Sequence, residues 1–336
     1  MPKHQTPGLF HHFVRTTPRL QAVVKVKLGN ATFKKWDANA AGQLAESLRR
    51  RSVFARHSAE RELYSGKALL FRDRTAMEIT FAPGHASDAD AIRETADHYE
   101  RLIFLTEACW RDRAHVHRAL GVSVHDHGDE AVDLLMEADL HHVSTLTRRP
   151  HRKDGLRIDG ATGKRALRVG FTPAVVETLV GAATAIAKRA QHALHWLEQS
   201  RLEPNMEAAL VKTSIGFETL FVLSDNEPLR KVISERLAFL LGGTSTQRAA
   251  IAALFTKFYD YRSAVVHGGS RRSRPVDLNV ADRLLLLACT SIAFHSPRLN
   301  STDDMRTWFE GMRWATSDPV PEVPFARAEI RRIVPG

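Results

Sequence analysis

The chain has 336 residues, of which 43% are hydrophobic and 26% charged. That balance excludes a disordered or fibrous chain, and the length suits two domains at roughly 100–200 residues each. Net charge is +10, from 48 Lys and Arg against 38 Asp and Glu, which favours anionic partners, nucleic acid first. No apolar run approaches the ~20 residues that cross a bilayer. The first residues lead into Leu9-Phe10-His11-His12-Phe13 without an apolar core of signal length. Two cysteines, Cys109 and Cys289, are too few for a disulfide framework or a cysteine zinc cage. A reduced cytoplasmic protein, away from membranes, is the expectation.

The first half carries short alternating runs. Leu20 to Leu28 reads as a strand, and Ala68 to Phe81 as one or two strands with a turn near Arg72-Asp73. Ala89 to Trp110 reads as a helix, with Ile92, Ala96, Tyr99, Leu102, Ile103 and Leu105 near one stripe and Ser87 or Asp88 as its cap. A second short helix is expected from Glu130 to Leu140. Residues 1–165 are thus expected to form an α+β domain, a sensor or RNA-binding unit. His115, His117, His125, His127, His141 and His142, with Asp126, Asp129 and Glu130, crowd this half. They could make a metal site, and with it a metal-dependent enzyme in this half, but none forms the i,i+4 pair with a helical glutamate that marks a zinc site, so that is the lesser reading and no metal or cofactor is expected. Gly155, Gly160 and Gly163 lack the lysine-threonine pair of a phosphate loop.

From Arg148 to Arg168 eight basic residues face only Asp154 and Asp159, a local charge of +6. A solvated linker is the plain reading, with residues 166–171 as its end. The sharper one is a strip that follows a phosphate backbone, with Arg148, Arg149, Arg152 and Lys153 as RNA contacts.

After residue 170 the period becomes helical. Thr172-Pro173 starts a helix that runs to about Ser200, with a capping hydroxyl and proline at the first position. A second follows Pro204 to about Leu223. A third runs from Pro228 to a left-handed stop at Gly242-Gly243. The fourth runs from about Thr246 to His267 and stops at Gly268-Gly269. The fifth spans Val276 to Phe294, and a sixth starts at Ser301 or Thr302, with Asp303 and Asp304 at its positive end. Short connections favour an antiparallel bundle over residues 172–315, followed by a tail of residues 316–336. Trp308, Phe309 and Trp314 at helical spacing read as core or interface.

The most informative stretch is Phe255 to Gly269. On a wheel of about 100° per residue, Ile251, Leu254, Phe255, Phe258 and Val265 share one face, and Arg262 lands in its middle. A guanidinium there needs a carboxylate partner, a subunit interface, or a cleft that receives an anion. Glu218 and Asp260 are candidate partners. His267 sits at the helix end, where the dipole favours its protonated form. It stands about 140° from Arg262 on a regular helix, so the two share a site only through a distorted last turn or across a symmetric interface. Arg271, Arg272 and Arg274 follow in one loop. A titrating histidine, an arginine and a basic loop suit phosphodiester chemistry.

Arg262-Ser-Ala-Val-Val-His267 resembles the arginine–four-to-six–histidine motif of HEPN domains, and Tyr259 to Gly268 is similar to their Apea-like branch. Ile215-Gly-Phe-Glu-Thr-Leu-Phe221 resembles the family's acidic helix, and Leu240-Leu-Gly-Gly243 the stop between the two. The resemblance covers residues 172–315. Many active members place Asn, Asp or His after the arginine, where this chain has Ser263. The resemblance implies a metal-independent endoribonuclease acting as a homodimer, of a host-defence or toxin type. Arg262 and His267 are then the catalytic pair, with Glu218, Ser263, Asp260 and Tyr259 in support. RNA is the implied substrate, cut by 2′-hydroxyl attack to a 2′,3′-cyclic phosphate, and a phage-derived molecule or partner protein is the implied trigger. A HEPN-like scaffold that binds RNA or nucleotide without cutting is the competing reading. The helical half, with 17 basic against 14 acidic residues, suits either.

Overall fold

The computed structural model describes residues 10–17, 20–51, 68, 71–72, 74–81, 89–120, 131–137, 143–148, 155–267, 278–314 and 323–334. They group into two compact units. Met1–Glu107 with His117–Gly163 forms one, and Ala108–Val116 with Lys164–Gly336 the other. The first is a small α/β unit around an antiparallel sheet, and the second is mostly helical.

The α/β unit contains β1 (Phe10–Thr16), β2 (Leu20–Ala22), β3 (Val26–Leu28), β4 (Ala31–Lys35), α1 (Ala38–Arg51), β5 (Thr75–Thr80), α2 (Ala89–Ala108), β6 (Ala131–Glu137), β7 (Val143–Arg148) and β8 (Leu156–Ile158). Six strands pair in the order β3-β4-β5-β1-β6-β7, and every pairing in that sheet is antiparallel. Side chains alternate across β1 as period two requires. Val14 packs with Trp36, Ala41, Ala45 and Phe71, while Arg15 lies over the Phe13 ring and pairs with Asp97 of α2. The apolar stripe expected on α2 is buried along its length.

Two strand-level expectations change. Glu130 to Leu140 is not a helix: Ala131–Glu137 is β6, with Leu134 opposite both Val14 of β1 and Thr145 of β7. Ala-Val-Asp-Leu-Leu-Met-Glu is an apolar run too short for its period to separate strand from helix. Leu20 to Leu28 is two strands, since β2 pairs in parallel with β8 while β3 turns back on β4.

The helical unit borrows Ala108–Val116 from within the span of the first; α3 (Arg113–Leu120) starts in that borrowed segment, and α4 (Thr162–Arg168) leads in. There follow α5 (Pro173–Gly181), α6 (Ala185–Leu202), α7 (Met206–Phe221), α8 (Leu229–Leu241), α9 (Ser245–Val266), α10 (Leu278–His295), α11 (Thr302–Trp314) and α12 (Pro324–Ile333). Thr172, Thr184 and Asn205 cap α5, α6 and α7 through their side chains. Thr244 and Gln247 form a reciprocal capping box on α9. The single helix expected from Pro173 to Ser200 is broken in two. Ala182 takes a left-handed conformation, φ +40°, and its N–H bonds the Thr178 carbonyl, closing α5 before Thr184 opens α6. The stop at Gly242 is not left-handed, with φ −85° and ψ 115°. Glycine serves there by its size, because a Cβ would lie 2.7 Å from the Ala238 carbonyl and 2.9 Å from the Arg248 nitrogen. Gly268-Gly269 lies outside the described residues. Residues 316–336 include α12.

The central helix is α10. Residues Leu278–Arg298 have the length and apolar character of a membrane span, yet 78% of that window is buried inside the protein. Near its end His295 is buried against Trp308, ring centroids 4.9 Å apart. Its Nε2 finds no hydrogen-bond partner among the described residues. Burial, with Arg298 adding to it, lowers its pKa from 6.5 to about 4. The unfolded chain therefore takes up a proton that the folded chain refuses. Stability is whole above pH 6.5 and is lost as pH falls towards 4, by about 3 kcal/mol at most. His295→Phe keeps the ring contact and removes the titration. Chemical denaturation at neutral and acid pH is expected to show a smaller acid loss in the variant than in the wild type.

Candidate functional site

Helix α9 enters the core through Ile251, Phe255 and Phe258, all buried. Phe255 and Phe258 pack on Phe217 of α7, with ring centroids 5.0 Å and 5.8 Å from it. Between α7, α9 and α10 an apolar cavity of about 60 Å³ remains, lined by Phe217, Leu254, Phe258 and Leu284 among others. Beyond Tyr259 the helix leaves the core. None of residues 261–267 is fully buried, and Val266 is 47% exposed.

Arg262 stands at that border. Its side chain is 20% exposed and that of Glu218 is 23% exposed, with Nη2 3.4 Å from Glu218 Oε1. Arg262 Nε donates to Ser214 Oγ at 3.3 Å, and Ser214 Oγ donates in turn to the Val211 carbonyl. The hydroxyl proton is thus spent inside α7, which leaves a lone pair for Arg262. Tyr259 donates to the same Glu218 oxygen at 3.2 Å, and the guanidinium carbon lies 5.4 Å from the Tyr259 ring centre. Burial raises the Tyr259 phenol pKa first, and the Glu218 carboxylate adds to the rise while Arg262 opposes it. Arg262 Nη1 makes no bond to any described residue. The cluster therefore holds a guanidinium in a fixed orientation with donors to spare, an arrangement able to bind an anionic oxygen.

The sequence offered Arg262 two carboxylates, and the structure brings Glu218. Asp260 instead pairs with Arg230 at 2.7 Å, both side chains being more than half exposed. Ser263 is half-buried, and its carbonyl accepts the His267 N–H at 3.0 Å. That bond keeps the last turn of α9 helical. Five residues then separate Arg262 and His267 by about 7.5 Å along the axis and about 140° around it. A distorted turn does not bring them together, and His267 is exposed.

Arg271, Arg272, Arg274, Arg149, Arg152 and Lys153 lie outside the described residues, and Arg148 closes β7. Arg157, Lys164 and Arg168 are exposed. Of the histidine crowd, His115 and His117 lie on α3, and His115 Nε2 is 3.0 Å from Arg111 Nη1. His125, His127, His141, His142, Asp126, Asp129 and Glu130 lie outside the described residues. Among the described residues no group of three or more His, Cys, Asp or Glu could hold a metal ion. Phe309 is buried against Phe221 and Trp308.

Sequence reasoning missed two features. Ser214 stands four residues before Glu218, on the same helical face, a spacing that was there to be read. The other is a buried charge cluster. Asp282 Oδ2 accepts from Arg113 at 2.6 Å and from Arg201 at 3.1 Å, and Asp282 and Arg201 are fully buried. Arg201 also donates to Asn279 Oδ1 and to the carbonyls of Ala108 and Arg111. Burial lowers the Arg113 pKa, and the adjacent Asp282 opposes that.

Comparison with protein-family models, with curated proteins and with solved structures returned no match for the chain.

The shared carboxylate oxygen has a spectroscopic consequence. Glu218→Gln removes the negative charge beside the Tyr259 hydroxyl while Arg262 stays. The Tyr259 phenol pKa is expected to fall towards its ordinary value of about 10. Alkaline titration of tyrosinate absorbance, with Tyr259→Phe as the blank, reads this directly. An unchanged titration would show that Glu218 does not act on the phenol.

Proposed function

We propose that the protein is a metal-independent endoribonuclease of HEPN type, working as a homodimer through its helical unit. The observation that carries this reading is Arg262, braced by Glu218, Ser214 and Tyr259 at the border of the core with Nη1 left over. The motif resemblance of Arg262 to His267 supports it. So does the course of α9, whose last two turns leave Val265 and Val266 incompletely buried beside the pair. Because the two residues face different ways within one chain, the reading requires a two-fold axis that brings both copies of α9 to one cleft.

RNA carries its own nucleophile. The 2′-oxygen attacks the neighbouring phosphorus and the P–O5′ bond breaks, giving a 2′,3′-cyclic phosphate and a 5′-hydroxyl. His267 accepts the 2′-hydroxyl proton or supplies one to the leaving 5′-oxygen. Arg262 offsets the charge that gathers on the phosphorane oxygens. Arg271, Arg272 and Arg274, with the basic stretch from Arg148 to Lys153, are the proposed backbone contacts. A cytoplasmic setting goes with this reading, as both Cys109 and Cys289 are free thiols. A host-defence role, switched on by a phage-derived molecule or a partner protein, follows from the family likeness. The Glu218 contact, which offsets the Arg262 charge, favours a second reading, a scaffold that binds RNA or nucleotide without cutting it.

Purified protein incubated with total RNA in EDTA separates the two. Cleavage is expected to persist in EDTA and to fall by about 10²-fold or more in His267→Ala and in Arg262→Ala. Arg262→Lys keeps the charge but not the planar fork, and should recover little. His267→Ala should also flatten the rate profile between about pH 5 and 8, where histidine changes charge. Light scattering should show a dimer. Cleavage that needs a divalent metal, or that survives His267→Ala, overturns the ribonuclease reading.

A further inference from the structure

The buried cluster at Asp282 and the partly buried one at Arg262 meet on a single helix. Thr213 and Ser214 are neighbours on α7, both buried, and their side chains diverge by about 100° to different partners. Thr213 Oγ1 donates to Asp282 Oδ1 at 2.9 Å, and Ser214 Oγ receives Arg262 Nε. A carboxylate only accepts, so the Thr213 proton is committed to Asp282. Ser200 Oγ, 2.7 Å from Thr213 Oγ1, can give its own proton to Thr213 or to the Ala209 carbonyl. Arg113 closes the circuit, donating to the Ser200 carbonyl at 2.5 Å, to Ser200 Oγ at 2.8 Å and to Asp282 at 2.6 Å. Four chain segments are tied at this point: Ala108–Val116, α6, α7 and α10.

α7 has no slack against the other two helices. A Cβ at Gly216 would lie 2.6 Å from Leu285 Cδ2 of α10 and 3.3 Å from the Ala193 carbonyl of α6. Gly216 falls between Ser214 and Glu218, the two residues of α7 that hold Arg262. The height and rotation of α7 therefore decide where both contacts sit.

We infer that Thr213, Asp282 and Arg113 are positioning residues for Arg262, and that the borrowed segment Ala108–Val116 is the element that sets them. Their role in cleavage rests on the ribonuclease reading above, but their hold on Arg262 does not. Displacing the segment withdraws Arg113 from Ser200 and Asp282, frees α7 to shift, and loosens the guanidinium without touching it.

The test reads Arg262 itself. In the full chain, the Nε–H resonance of Arg262, assigned by its loss in Arg262→Lys, reports the bond to Ser214, and Ser214→Ala supplies the reference for a broken bond. Thr213→Val removes the hydroxyl at nearly constant shape and should move the resonance in the direction of Ser214→Ala. Thr213→Ser should restore it. Arg113→Lys makes the same test from another segment, should Thr213→Val not fold. Leu179→Ala, in the core of α5, should lower Tm and leave the resonance in place. In cleavage assays Thr213→Val should lower kcat by about tenfold with KM within about twofold, as for a group that acts on the transition state. The inference is overturned if Thr213→Val and Arg113→Lys leave the resonance unmoved while Ser214→Ala shifts it. If the wild type cuts no RNA, the ribonuclease reading fails, and the resonance still decides the positioning.

Discussion

One carboxylate, Asp282, sits in the middle of the helical unit with two guanidinium groups against it. Taking three charges out of water is unfavourable unless each finds partners, and breaking such a cluster from one side costs about 3–5 kcal/mol. Here each finds them. Arg113 reaches the carboxylate, a hydroxyl and a carbonyl, while Arg201 reaches two carbonyls, an amide oxygen and the same carboxylate. The geometry is met only when α6, α7, α10 and Ala108–Val116 are all in place. Apolar packing tolerates small slides between helices, whereas hydrogen bonds of these lengths do not. The cluster therefore converts a general helical packing into one particular arrangement.

That arrangement reaches the surface through α7. Its inner side carries Thr213 and Gly216, one bonded to the core carboxylate and the other small enough for close approach. A neighbouring side carries the buried Ser214 and the partly exposed Glu218, which face Arg262 of α9. Glu218 serves two partners at one oxygen, so the phenol of Tyr259 and the guanidinium are held by the same group. The site is a rigid feature carried on rigid elements, which favours precision in how a charged group is presented.

Much of the helical half was legible in the sequence, because capping residues and prolines mark chemical needs at helix ends. Thr172 reads as such a cap, and Asn205 and Thr244, not singled out in the sequence, meet the same need within two residues of the expected starts. Ala182 was not legible, since alanine rarely takes a left-handed turn and the apolar period runs on through it. Ala131–Glu137 misled because seven residues hold too few periods to choose between a strand and a helix. Arg262 declared itself: a cation in an apolar stripe needs an anion, and Glu218 was within reach on a neighbouring helix. Arg113 gave no such sign. Asp282 shares a helical face with Leu278, Leu285, Leu286 and Cys289, the same signal overlooked, and only the tertiary fold reveals that its partner lies 169 positions away.

The pairing of Arg113 with Asp282 also has a temporal side. The two are 169 positions apart in the chain. On the ribosome Arg113 emerges long before Asp282, so that pair cannot form until α10 has been made, although Ser200 comes within reach sooner. The cluster cannot close before the α10 segment is released, and joining Arg113 to Asp282 carries the entropy of closing a long loop. Completion of the Asp282 cluster is thus tied to the release of α10.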